Sequence, residues 1–136
     1  MAATKDRFLK FELGDYSHLP LAASAKVFRH TYIGQVAASN TFRALVAGDK
    51  FAGIAQDNAD NTGGAAGAVD VQVKRHGRVL ETVTGASAVT AIGTNVYAAA
   101  DDTLTLTVGT NSLMGKIGGW DIATGKSIVE YNAALV

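Results

Sequence analysis

The sequence contains no cysteine, a single proline and no excess of charge of either sign. The missing cysteine excludes a disulfide framework, a cysteine nucleophile and thiolate metal ligands. Lys and Arg total 12, as do Asp and Glu, whereas a nucleic-acid-binding surface normally carries a basic excess. No apolar run approaches the ~20 residues that span a bilayer, and the N-terminus lacks the apolar segment of a secretory signal. The composition therefore predicts synthesis in the cytoplasm, with neither nucleic acid nor membrane as a partner.

Glycine, alanine and short strand-like runs make up much of what is present. The chain has 136 residues and 15 glycines, which suits one domain with a real core. Turn signals recur every roughly 8–12 residues, and no segment keeps a helical apolar stripe. Charged residues make up 18%, below the roughly 25% typical of soluble domains, so more of the surface is available for protein contacts. We predict a small single-domain all-β protein, a β-barrel or sandwich over 18–136, with an N-terminal arm over 1–17.

The clearest strand pattern lies at 68–76. Valines such as Val71 and Val73 alternate there with polar residues, which indicates one buried and one solvated face. The residues at 76–78 have the composition of a turn. Residues 68–76 and 79–83 are therefore predicted to pair as a β-hairpin.

Four further positions carry weaker expectations. Pro20 predicts an edge strand or the start of a strand, because proline cannot donate to a ladder. Ser87 is placed to cap a single helical turn at 86–92. Tyr97 is expected in the core, whereas Trp120, which follows two glycines, fits either the core or an interface.

A polar, glycine-rich loop from Asp57 to Ala68 is the most unusual stretch of the chain. It is too long for a tight hairpin, and ordered loops of this length are often functional. Its oxygen-bearing side chains suit a hard cation such as Ca²⁺, but the EF-hand pattern fails, with Thr62 at the sixth position and Ala68 at the twelfth. We therefore predict no metal site and treat these residues as a candidate assembly loop: Asp57, Asn58, Asp60 and Asn61.

The remaining candidates for chemistry do not combine into a site. The three histidines, His18, His30 and His76, are widely separated in the sequence. Asp101 and Asp102 are adjacent, so on a strand their carboxylates would point to opposite faces. No Gly-x-Ser-x-Gly motif or phosphate-binding loop is present. We predict no enzyme activity, no catalytic residues and no cofactor.

Three stretches share their order and spacing with a known family: Phe51–Gly77, Ile92–Thr105 and Leu113–Ile117. They resemble the head decoration, or capsid cement, proteins of tailed bacteriophages, over roughly residues 20–131. The resemblance implies a non-catalytic all-β protein on the exterior of the mature virion head, commonly a homotrimer that binds the major capsid protein. Such a trimer clamps several capsid subunits, so opening the shell must break several contacts together.

Within this hypothesis, the N-terminal arm is the first candidate for capsid contact. Phe8, Leu9 and Phe11 are apolar and suited to adding a strand to a neighbouring sheet. The Asp57–Ala68 loop is the second candidate, for contact with the trimer partner or the capsid. The alternative function is a ligand-binding β module that recognises carbohydrate or a host surface, which predicts exposed aromatic residues grouped on one face.

Overall fold

The structure, a computed structural model, describes residues 16–136. Within this range there is no α-helix, and one short 3₁₀ helix follows the last strand. The strands are β1 (Tyr16–Pro20), β2 (Lys26–Val27), β3 (Tyr32–Gln35), β4 (Phe42–Ala44), β5 (Lys50–Ala55), β6 (Ala59–Asp60), β7 (Asp70–Lys74), β8 (His76–Glu81), β9 (Val83–Thr84), β10 (Asn95–Ala100), β11 (Thr103–Thr105), β12 (Ser112–Asp121) and β13 (Lys126–Asn132), with the 3₁₀ helix at Ala133–Leu135. The prediction of a small all-β domain is confirmed. Among the described residues, no helix is long and apolar enough to cross a bilayer.

Two sheets account for most of the strands. The first has the order β1-β7-β5-β3-β4 and is antiparallel throughout. The second has the order β8-β13-β12-β10-β11-β9 and is antiparallel except for the β11–β9 pair. Two further strands, β2 and β6, pair with each other in a separate two-stranded ribbon.

The main core lies between the two sheets. It joins Tyr32, Phe51 and Ile54 of the first sheet to side chains of the second, including Met114 and Tyr131. The Phe51 and Tyr131 rings meet edge to face, with their centroids 5.7 Å apart and an interplanar angle of 88°. Such aromatic pairs add to the stability that burial alone gives, so this contact helps to join the sheets.

A second core covers the opposite face of the first sheet. Val71, Val73 and Ile33 pack there against Val27 of the ribbon and Leu21. The central strands β3 and β5 of the first sheet are therefore buried on both faces. A strand buried on both faces has a continuous apolar sequence rather than an alternating one, and β5 has this character.

Gly53 lets β5 serve both cores. Phe51 and Ile54 both face the main core, although residues three apart on a regular strand point to opposite faces. Gly53 has φ +143°, and a Cβ there would lie 2.8 Å from the carbonyl oxygen of Lys74. One additional residue is thus accommodated at Gly53, as in a β-bulge, and the β3–β5 register shifts at the same place.

The prediction that residues 68–76 and 79–83 pair as a β-hairpin is wrong. β7 pairs with β1 and β5 in the first sheet, while β8 pairs with β13 in the second. Residues 76–78, which were predicted to form the turn, instead belong to β8, and Gly77 has a nearly extended φ of +157°. The chain therefore passes through Arg75 from one sheet to the other without reversing. The predicted alternation of β7 is nevertheless confirmed, since Val71 and Val73 are fully buried and Asp70 is exposed.

Several smaller expectations have clear outcomes. β1 begins at Tyr16, so the last two residues of the predicted 1–17 arm belong to the sheet. Pro20 ends this edge strand, as predicted. Residues 86–92 contain turns but no helix, so Ser87 caps no helical turn. Tyr97 and Trp120 are both half-buried, so the prediction that Tyr97 lies in the core is wrong.

Candidate functional site

The predicted contact residues fall into two groups. Phe8, Leu9 and Phe11 lie outside the described residues. The residues of the assembly loop lie within 16–136, where β6 and the turns after it cover the second core together with β2. Asp57, Asn58 and Asp60 are exposed, whereas Asn61 is buried.

Asn61 is the structural centre of the loop. Its side-chain Nδ2 donates to the carbonyl oxygens of Ala22 at 3.0 Å and Ala65 at 2.9 Å. Its backbone N–H donates to Ala25. A Cβ at Gly64 would lie 2.0 Å from Asn61 Oδ1, so glycine is required beside it. Asn61 therefore holds the loop together from inside and is not available to a partner.

The exposed acidic and amide groups also bond to the chain itself. Asp60 Oδ1 accepts hydrogen bonds from the Thr62 N–H at 2.9 Å and the Thr62 hydroxyl at 2.5 Å. These bonds lower the pKa of Asp60. Asn58 Oδ1 accepts from the N–H of Arg29 at 2.7 Å. Among residues 16–136, no three His, Asp or Glu side chains are grouped as a metal site would require.

We expect Asn61→Ala to lower the free energy of unfolding by about 1–3 kcal/mol, because the carbonyl groups of Ala22 and Ala65 lose their side-chain donor. Urea denaturation measures this change. Asn111→Ala is the matched control: its Nδ2 also donates to a carbonyl oxygen, but at an exposed site, so we expect a change within about 0.5 kcal/mol. Equal effects of the two substitutions would contradict the structural role of Asn61.

Three strongly exposed apolar side chains lie on two loops beside the second half of β12. Val89 and Ile92 are 91% and 76% exposed, and Ile122 is 89% exposed. The first loop is fixed to β12 by a hydrogen bond from the Gly93 N–H to the Ile117 carbonyl oxygen, and Ile122 directly follows β12. We call Val89, Ile92 and Ile122 the apolar tips.

A shallow groove of about 500 Å³ lies against β8, β13 and β12 near the C-terminus. Leu113, Tyr131 and Leu135 contribute apolar surface to it. Its rim includes Arg78 and Glu130, which form an exposed ion pair with 3.6 Å between Nε and Oε1. The groove is a second surface suited to a partner or ligand.

A second concave surface is the cleft at the edge of the two sheets. The Tyr32 hydroxyl donates to Glu81 Oε2 at 2.5 Å and so links β3 to β8. Burial, followed by the interaction with Glu81, raises the pKa of Tyr32. Lys74 and Lys126 also line this cleft of about 450 Å³, which gives it a basic rim.

The three histidines lie on different elements: His18 on β1, His30 in the turn between β2 and β3, and His76 at the start of β8. Asp101 and Asp102 occupy the predicted turn between β10 and β11, and burial, with a smaller effect of Asp102, raises the pKa of Asp101. The apolar tips and the groove were not predicted. The tips could have been suspected from Val and Ile residues that stand in predicted loops. The groove could not, because its lining residues come together only through the order of the strands in the second sheet.

The chain matches no described protein family, no curated protein and no solved structure. The likeness to head decoration proteins therefore stays a prediction made from the residues alone.

Proposed function

We propose that this protein is a capsid decoration protein, which binds the exterior of a mature phage head as a trimer and stabilises it. The observation that carries the proposal within the structure is the exposure of the apolar tips on an all-β domain with few charges. Exposed apolar side chains mark protein interfaces when they occur together. The sequence resemblance supplies the identity of the partner, the major capsid protein.

In this proposal the protein stabilises the head by holding neighbouring capsid subunits together, without chemistry. A cyclic trimer uses one heterologous interface three times and closes on itself. Each trimer then contacts several capsid subunits, so their separation requires the loss of several contacts at once. In this proposal the apolar tips and the N-terminal residues Phe8, Leu9 and Phe11 contact the capsid. The exposed part of the Asp57–Ala68 loop serves the trimer or the capsid surface.

The test mixes the purified protein with expanded empty heads of the phage that encodes it. We expect stoichiometric addition at symmetric positions, visible by cryo-electron microscopy, and a raised temperature of head disruption. The substitutions Val89→Asp and Ile122→Asp are expected to weaken addition at least about tenfold, equivalent to ~1.4 kcal/mol. Thr107→Asp, at an exposed polar position, is the control. No addition to the cognate heads overturns the proposal.

Deletion of residues 1–13 tests the arm separately. Loss of head binding with an unchanged unfolding curve supports a direct contact by Phe8, Leu9 and Phe11. Unchanged head binding excludes the arm as a major contact and leaves the tips as the candidate surface.

A ligand-binding β module is the second candidate, and the groove beside the C-terminus is the observation that favours it. Most residues that line this groove are not aromatic. The groove therefore differs from the group of exposed aromatic residues that the sequence-based hypothesis of carbohydrate binding predicts. Glycan-array binding that Leu113→Asp abolishes, together with absent head binding, would establish this alternative.

A further inference from the structure

A buried tyrosine presents its hydroxyl group at the cleft at the edge of the two sheets. Tyr131 is 5% exposed, its ring packs against Phe51 in the main core, and it lines the cleft. Within residues 16–136, every side-chain nitrogen or oxygen atom that is buried from solvent has a hydrogen-bond partner. The Tyr131 hydroxyl group forms no hydrogen bond with another group of this range, so it is open to solvent.

Lys74 lies beside this hydroxyl group. A Cβ on Gly77 would lie 3.3 Å from Lys74 Cε and 3.5 Å from the Tyr131 hydroxyl oxygen. Both groups therefore border the space that the missing side chain of Gly77 leaves on the cleft side of β8. The Lys74 ammonium lies 5.8 Å from the centre of the Tyr16 ring, and no carboxylate of residues 16–136 forms an ion pair with it.

The two groups are both donors at neutral pH. Burial, followed by a smaller interaction with Tyr16, raises the pKa of Tyr131 to about 12, so the hydroxyl group keeps its proton. The ammonium group of Lys74 supplies further donors and a positive charge. Hydrogen bonds from such donors to an ionised oxygen are shorter and stronger than those between neutral groups. A hydroxyl group and an ammonium group side by side suit the two oxygens of one carboxylate.

The charges around the cleft favour a ligand with a single negative charge. Arg78 is paired with Glu130, and the positive charge of Lys126 is offset by Glu81, which lines the same cleft. With histidine counted as neutral, Lys74 supplies the positive charge that remains in the described lining. A dianion such as phosphate would carry a second charge without compensation, which is costly in a partly desolvated site.

The cleft also offers an apolar surface next to these donors. Ile54 and Val79 line it, and both belong to or pack against the main core. Sites for small molecules commonly combine such apolar lining with a few polar groups that fix the orientation of the ligand. We infer that this cleft binds the carboxylate of a small monocarboxylic acid through Lys74 and Tyr131. The apolar part of the acid lies against Ile54 and Val79, where it is removed from water.

Titration of the full chain with benzoate, followed by two-dimensional amide NMR spectra, tests this inference. We expect saturable shifts of the amide signals of Gly77 and Val79, which flank the donors and the apolar surface. Benzamide, which has the same ring without the charge, and inorganic phosphate are the control ligands and are expected to cause no saturable shift. Equal shifts with benzamide and benzoate would overturn the inference.

Two substitutions assign the donors. Lys74→Met and Tyr131→Phe are each expected to weaken benzoate binding at least about tenfold, because each removes one donor to the carboxylate. Tyr131→Phe keeps the ring that packs on Phe51, and Lys74 belongs to neither core, so Lys74→Met decides the outcome by itself. Lys50→Met removes the charge of an exposed lysine outside the cleft and is expected to change the affinity less than about twofold. Benzoate binding that survives Lys74→Met contradicts the assignment.

The same group can belong to a free acid or to a glutamate side chain of a protein partner. N-acetylglutamate N-methylamide, titrated in the same way, represents the side chain. Tighter binding of benzoate assigns the cleft to a free acid, whereas tighter binding of the blocked glutamate assigns it to a protein partner. Binding of neither overturns the inference. All these measurements use the isolated protein, so their outcome does not depend on the proposed capsid function.

Discussion

Phe51→Ala is expected to lower the free energy of unfolding by about 3–5 kcal/mol, as large-to-small changes of core aromatics do. Phe51 is 1% exposed and lies on β5, and its ring meets that of Tyr131 on β13. The substitution therefore leaves a cavity between the two sheets and removes an aromatic pair that joins them. Urea denaturation followed by the fluorescence of Trp120 measures the loss.

Phe28→Ala is the control for the loss of an aromatic ring. Phe28 is 56% exposed, and the Lys26 ammonium lies over its ring at 5.4 Å from the centroid. We expect a change of about 0.5–1 kcal/mol, mainly from this exposed cation–π contact. A loss below about 1 kcal/mol for Phe51→Ala would contradict a main core built between the sheets.

The local patterns of the chain were predictable because they depend on neighbouring residues. The alternation that buries Val71 and Val73 is visible in the sequence, and Pro20 identified an edge strand. Strand partners were not predictable in this way. Val79 pairs with Val129, far along the chain, and the nearby strand that the hairpin prediction chose belongs to the other sheet.

The candidate site shows the same division. The Asp57–Ala68 loop was identified as unusual, but its four polar residues looked equivalent in sequence. Only the three-dimensional structure separates Asn61, which is 2% exposed, from Asp60, whose carboxylate bonds to Thr62 at the surface. What distinguishes them is the position of the Ala22 carbonyl group, which comes from a distant segment.

The irregularity at Gly53 could be predicted only in part. Glycine within a strand often marks a bulge or a close backbone approach, so a local irregularity was foreseeable. The consequence was not foreseeable, because it depends on the main core, which takes both Phe51 and Ile54 from the same side of β5. The close approach to the Lys74 carbonyl oxygen also involves a strand that is distant in sequence.

Arg43→Met is expected to lower the free energy of unfolding at pH 7 by about 2–3 kcal/mol, because it leaves a buried carboxylate without its cation. The Asp49 side chain is 5% exposed and that of Arg43 is 40% exposed. Arg43 donates from Nε at 3.0 Å and from Nη2 at 2.8 Å, one bond to each carboxylate oxygen. The Val46 N–H is a third donor. Asp49 also packs closely against Gly34, where a Cβ would lie 2.6 Å from Asp49 Cβ.

The pH dependence of this loss identifies its cause. Burial raises the pKa of Asp49, but the hydrogen bonds from Arg43 and Val46 outweigh it, so the pKa is lowered overall. In the unchanged protein, this stabilisation is present above the pKa of an unfolded Asp, about 3.9, and is lost as the pH falls through the lower folded value. In the Arg43→Met protein, burial acts with less opposition and the pKa rises. Protonation then relieves the unpaired charge, so the difference between the two proteins shrinks from pH 7 to pH 4.

Urea denaturation at several pH values, with two comparison proteins, completes this test. In the Arg43→Met/Asp49→Asn protein, which has no buried charge, we expect the difference from the Arg43→Met protein to decline with falling pH. Arg78→Met removes the cation of the exposed Arg78–Glu130 pair, in which Nε and Oε1 are 3.6 Å apart, and is expected to cost below about 0.5 kcal/mol. A cost of Arg43→Met that stays constant from pH 7 to pH 4 would show that lost packing of the arginine stem, rather than the unpaired carboxylate of Asp49, destabilises the protein.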